Sequence, residues 1–185
     1  MVSQETERAT PPIPTGWQFC AKNKSEFQVA VEQSTRISDQ KCISIKTAAK
    51  PIDDIGNFNQ RFSASKYIGK RIQLSAWVMC ELAEGHVQLW LRVDGDWPFY
   101  SRLRGAFDNM WPDRIITGTR QWQQHALVVD VPEQSSHIAF GLYHNAKGTV
   151  WVDGFKLEVV NKDVPLTGML QDTENVEPVN LNFQD

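Results

Sequence analysis

The sequence predicts an all-β domain, an antiparallel β-sandwich or jelly roll with little or no helix. Three observations predict it. Apolar residues recur with period two in eight short runs, the pattern of strands with one face toward a core. Turn residues stand between the runs: Ser38-Asp39, Ile68-Gly69-Lys70, Gly85, Asp94-Gly95-Asp96, Thr117-Gly118-Thr119, Val131-Pro132 and Lys147-Gly148. No stretch sustains a 3.6-residue apolar period for three turns, so an amphipathic helix has no support.

Residues 1–15 are polar, carry Pro11, Pro12 and Pro14, and read as a flexible arm. The sandwich is expected over 16–160. Its runs are Phe27-Val29-Val31, Ile43-Ile45, Phe58-Gln60-Phe62, Ile72-Leu74-Ala76-Val78, Val87-Leu89-Leu91-Val93, Ala126 to Val131, Ile138-Phe140-Leu142 and Val150 to Val160. The longest interruption, Asp94 to Arg120, holds Trp97, Phe99, Tyr100, Phe107 and Trp111. A connection of that length in a compact domain is usually functional or has a strand of its own; a short strand is expected near 103–108, within ordered loop. Residues 161–176 form a polar connection. In 177–185, Val179, Leu181 and Phe183 alternate again, which predicts a final strand docked on the sandwich or on a neighbouring subunit.

The 185 residues carry 19 Lys plus Arg against 22 Asp plus Glu, a net charge of −3, with 41 % hydrophobic and 22 % charged residues. That balance excludes disordered and collagen-like chains. Nucleic acid favours a basic surface, so it is not an expected partner. No apolar run approaches the roughly 20 residues that span a bilayer, and a membrane is not an expected partner either. The amino terminus has no apolar segment resembling a secretory signal, so a cytoplasmic location is expected. Cys20, Cys42 and Cys80 are odd in number and contain no Cys-x-x-Cys pair, against a disulfide framework or a zinc site. Cys42 and Cys80 lie in apolar runs and read as small buried hydrophobes. His86, His125, His137 and His144 show no metal-binding spacing. His144 reads either as an ordinary surface histidine or, following Tyr143 near a strand end, as a residue that reaches the rim of a groove. Nucleophile elbow, phosphate loop and dinucleotide fingerprint are all missing.

Side-chain parity divides the strands into two faces. Ile72, Leu74, Ala76, Val78, Val87, Leu89, Leu91, Val93, Ile138, Phe140, Leu142, Val150 and Val152 face a core. The opposite parity is expected to gather Trp77, Met79, His86, Gln88, Trp90, Arg92, Tyr143 and Trp151 on one outward sheet face, floored by Ala139 and Gly141. Phe107, Asp108 and Asn109 border it from the long loop. Aromatic bodies with a few hydrogen-bonding tips suit a small-molecule or sugar groove. Two other readings stand beside it: the outward indoles form a second hydrophobic cluster under the long loop, or they mark a protein interface. Arg92 either binds ligand or pairs with Asp94 or Asp108. Asp108-Asn109 either binds ligand or forms an Asx turn.

Three stretches carry a resemblance: Tyr67 to Val78; Leu89-Trp90-Leu91-Arg92-Val93-Asp94-Gly95 with Ala106-Phe107-Asp108-Asn109-Met110; and Ile138-Ala139-Phe140-Gly141-Leu142 through Gly148-Thr149-Val150-Trp151-Val152-Asp153. With their spacing they resemble a bacterial jelly-roll family of the galactose-binding-like, carbohydrate-binding-module-like type, often appended to transcriptional regulators. The resemblance implies a jelly roll over about residues 55–160. Some jelly rolls of this kind hold a structural calcium, for which Asp39 and Asp153 are the possible ligands; no other cofactor is expected.

Face and resemblance together point to a binding module for a small organic ligand or carbohydrate, with Trp77, His86, Gln88, Trp90, Arg92, Phe107, Asp108, Asn109 and Tyr143 as the binding residues. One alternative is a small-molecule enzyme of cyclase or isomerase type, its aromatic walls stabilising cations and Asp108 supplying a proton. A second is a protein-interaction or homo-oligomerisation domain.

Overall fold

The computed structural model describes residues 13–50, 53–95 and 106–168. Trp97, Phe99, Tyr100 and the strand expected over 177–185 lie outside them. The strands are β1 (Gln18–Cys20), β2 (Gln28–Gln33), β3 (Lys41–Thr47), β4 (Gly56–Ser63), β5 (Arg71–Gly95), β6 (Phe107–Asp108), β7 (Thr119–Asp130) and β8 (Ser135–Val160). One 3-10 turn at Lys24–Glu26 is the helical element among the described residues. All strand pairs are antiparallel, and the fold is a jelly roll.

The frame is a single ladder. β5 pairs with β8 from Arg71↔Val160 to Gly95↔Ser135. Two strands of that length would run about 80 Å if straight, far longer than a domain of this size. They bend instead where the register shifts between Leu82 and Glu84. Gly85 (φ 83) and Gly148 (φ 134) sit at the bend. A Cβ on Gly85 would stand 2.2 Å from the Asn145 carbonyl oxygen, and one on Gly148 2.1 Å from that of Glu81. Only glycine fits backbones this close at positive φ. The expectation of separate strands before and after each glycine is thereby corrected. Gly85 and Lys147-Gly148 bend two continuous strands and do not end them.

Folding the ladder makes two layers. The first contains β7, residues 71–81 of β5, the carboxy-terminal half of β8, β3 and β2. The second contains β6, residues 86–95 of β5, the amino-terminal half of β8, β4 and β1. Inward parity falls where the apolar alternation placed it: Ile72, Leu74, Ala76 and Val78 from one layer and Val87, Leu89, Leu91 and Val93 from the other are all buried. Trp17 closes one end of this core, stacked on Phe58 at 4.5 Å and touching Phe140 and Phe155. Cys42 and Cys80 are buried, and burial first of all pushes the Cys42 thiol up to about 11. That keeps it protonated and unreactive.

His144 is corrected outright. It lies opposite Gly56 and Val87, is 0 % exposed, and meets the Phe27 ring edge-on. Neither ring nitrogen has a hydrogen-bond partner. It continues the parity of Ile138, Phe140 and Leu142, so the strand itself turns it inward.

Candidate functional site

The expected common face of Trp77 and Trp90 does not form. The two residues are 13 positions apart along β5, and the bend at Gly85 lies between them. Trp77 belongs to the first layer, opposite Gln124 and Asp153. The Arg36 guanidinium lies 4.9 Å from its ring centre and pairs with Asp153 at 2.6 Å. Ser34 Oγ donates to the other Asp153 oxygen. Trp151 Nε1 donates to Glu32 and Trp122 Nε1 to Thr35. The indoles of that layer are therefore engaged by β2 and the turn after it. The cation beside Asp153 is Arg36, while Asp39 is an exposed turn residue at φ 67.

His86, Gln88, Trp90, Arg92, Phe107 and Tyr143 do come together, on the outer face of the second layer. Directly opposed residues share a face, which gives three rows: Cys20, Asn57, Tyr143, Gln88; Gln18, Asn59, Gly141, Trp90; and Arg61, Ala139, Arg92, Phe107. His86 and Asn145 extend the face toward the bend. Trp90 is only 3 % exposed. Its ring stacks on Tyr143 at 5.2 Å and 13°, and its Nε1 donates to Asn57 Oδ1 at 3.1 Å. Gln18 Nε2 donates to Asn59 Oδ1 at 2.8 Å. Arg92 pairs with Asp94 at 2.9 Å and lies over the Trp90 ring.

Asp108 belongs elsewhere. It lies opposite Leu91, whereas Phe107 lies opposite Arg92, so it points away from the face and cannot pair with Arg92. Its oxygens accept from Met110 N, from Arg114 Nη2 at 2.6 Å, and from Thr167 Oγ1. Thr167 also bonds Val128 on β7. Asp108 thus ties the chain after β8 to the edge of the sandwich. The cyclase-type alternative loses the acid it relied on. Asn109 Oδ1 accepts from Trp111 N at 3.2 Å, an Asx turn that positions the next aromatic residue.

That residue, Trp111, is 49 % exposed and stands 5.6 Å from the His86 ring. Beside His86 runs an open groove of about 1350 Å³, bordered by Asn57, Tyr143, Asn145, Lys50, Asp54 and Cys20 among others. Burial, and then Lys50, hold the His86 pKa below its usual range. Asp54 anchors the wall: its carboxylate accepts from the backbone N–H groups of Lys22, Asn23 and Ile55. Those bonds, that of Asn23 first, hold its pKa low. Asn57, Asn145 and Trp111 are the site residues that sequence reasoning missed. The asparagines continue the outward parity of β4 and β8, a signal available in the sequence. Trp111 is brought to His86 by tertiary folding alone.

No family model matches the chain. It is 33 % identical over 174 residues to an uncharacterized HTH-type transcriptional regulator, YbfP, of Bacillus subtilis (strain 168); the match covers 92 % of this chain and 57 % of that protein. The chain therefore spans little more than half the length of this curated relative. In structure it is similar to the enzymatically active domain of bacteriophage CBA120 tailspike protein 4, with a TM-score of 0.59, 12 % identity, and coverage of 79 % of this chain and 20 % of that one. It is also similar to the C-terminal family 22 carbohydrate binding module of Clostridium thermocellum Xyn10B, with a TM-score of 0.51, 12 % identity, and coverage of 78 % and 86 %. At such identities the likeness concerns the fold. The chain has the jelly-roll fold of carbohydrate-binding modules and is similar in sequence to part of a helix-turn-helix-type regulator.

Proposed function

We propose that this chain is a carbohydrate-binding module whose ligand lies in the groove on the outer face of the second layer. The observation that carries the reading is the exposed Trp111 indole beside His86, at the end of a sheet face built from Asn, Gln, Tyr and Arg. Flat rings stack on the C–H faces of sugars, and amide and guanidinium groups bond the hydroxyls. The carbohydrate-binding-module fold supports the same reading. The similarity to part of a regulator supports a further step, in which the module is the ligand-sensing part of a longer regulatory protein.

The test is a titration of the chain with neutral xylo-, gluco- and galacto-oligosaccharides, read by Trp fluorescence and calorimetry. Saturable binding is expected. Trp111→Ala weakens it by roughly tenfold, equivalent to about 1.4 kcal/mol. Saturable binding by no sugar of the panel removes the proposal.

A further inference from the structure

In the first layer, the end of β8 has a bare edge. β3 pairs with β8 as far as Ile43↔Val152, whereas β5 runs on beside it to Arg71↔Val160. Residues 154–160 are therefore bonded on one side, and among the described residues no backbone hydrogen bond reaches their other side. Leu157 and Val159 lie opposite Leu74 and Ile72 and share their inward parity, and the Phe155 ring meets Trp17 and Phe140. Yet Val159 is 53 % exposed, and Phe155 and Leu157 are only partly buried. Beside them lies a groove of about 420 Å³, walled by Trp17, Phe62, Tyr67, Leu74 and Phe140. An unpaired strand next to an open apolar groove is the arrangement that accepts an added strand.

We infer that residues 177–185 of the same molecule add to this edge as a strand and cover the groove. Val179, Leu181 and Phe183 alternate there with Asn180, Asn182 and Gln184. Laid along β8, the three apolar side chains meet Phe155, Leu157 and Val159 and enter the groove, while the polar ones join Lys156 and Glu158 on the outer face. The chain is long enough. Thr167 bonds Val128 at the edge of β7, and Val128, Gln73 and Glu158 form one row. From Thr167 across β7, β5 and β8 to an added strand is four strand spacings, about 19 Å. Residues 169–176, fully extended, reach about 28 Å. The other terminal segment does not suit the edge: residues 1–12 have no apolar alternation, and Pro11 and Pro12 have no N–H to give a ladder.

Hydrogen exchange of the full chain, read by mass spectrometry, tests the docking. The amides of 154–160 are expected to be protected on both sides of the strand; protection limited to those that face β5 overturns the inference. Leu181→Asp with Phe183→Asp is expected to speed exchange over 154–160 at least tenfold. Asn180→Asp with Asn182→Asp, which adds the same charge at outward positions, leaves it unchanged, and equal effects from the two pairs overturn the inference. Val159→Asp probes the receiving edge. A position open to water tolerates the change, whereas beneath a docked strand it lowers the Tm by at least about 4 °C; an unchanged Tm overturns the inference. Light scattering separates a molecule's own strand from a neighbour's. A monomer with 154–160 protected at every concentration is expected, and protection that is lost on dilution as a dimer dissociates overturns docking within one molecule.

Discussion

His144 shows how far a single residue's chemistry departs from its type once the strand fixes its direction. A buried imidazole resists protonation, and burial lowers the His144 pKa from 6.5 to about 4. The unfolded chain takes up a proton near pH 6.5 and the folded chain does not. Stability is therefore full above pH 6.5, falls as the pH drops toward 4, and levels off below it. The gap corresponds to about 3 kcal/mol. Urea unfolding at pH 7.5 and pH 4.5 should show the loss, and His144→Phe should remove most of it. The remaining slope belongs to His86 and His125, which burial also lowers. An unchanged slope in His144→Phe contradicts this assignment. The residue was legible in the sequence, since parity from Ile138 through Leu142 runs on to it. Polar character pointed outward and geometry prevailed. Asp108 is the opposite case, because Thr167, 59 residues away in sequence, supplies one of its partners.

At the scale of the element, the bent ladder of β5 and β8 decides the architecture. Gly85 and Gly148 each combine positive φ with a neighbouring backbone closer than a Cβ allows. Alanine at either place must strain φ and push the strands apart. Each substitution is expected to cost about 3 kcal/mol, measured as a shift of the urea midpoint. A loss below about 1 kcal/mol in both would mean that the bend is set elsewhere. A glycine between two alternating runs is the sequence signal of a tight turn and of a bend alike. What separates them is whether the pairing continues past the glycine, and that depends on the partner strand.

At the scale of the whole molecule, folding the ladder puts two groups of aromatic residues on different layers. Trp77 serves the first layer, under Arg36 and beside Asp153. Trp90, Tyr143 and Trp111 serve the second, with the groove. Trp77→Ala should therefore destabilise the fold, by about 2 kcal/mol, and leave oligosaccharide affinity within twofold of the parent chain. A loss of affinity to match Trp111→Ala would show that the two layers act on one ligand. Six of the nine expected residues gather on one face, and His86, Gln88, Trp90, Arg92 and Tyr143 were legible because they share that face by parity within their own strands. Trp77 was not, since parity holds along a strand only while the strand runs on without bulge or bend.

Apolar alternation alone sets the strands, their inward faces and the burial of Cys42 and Cys80, because alternation is a local property: each side chain's direction follows from its neighbour's. Tertiary structure decided which strands merge, which aromatic residues meet and which carboxylate is already bonded. Those outcomes depend on partners far apart in the chain, such as Trp111 with His86, Asp108 with Thr167 and Arg36 with Asp153. No spacing within a run encodes such a meeting; it arises when loops and partner strands far apart in the chain are brought side by side.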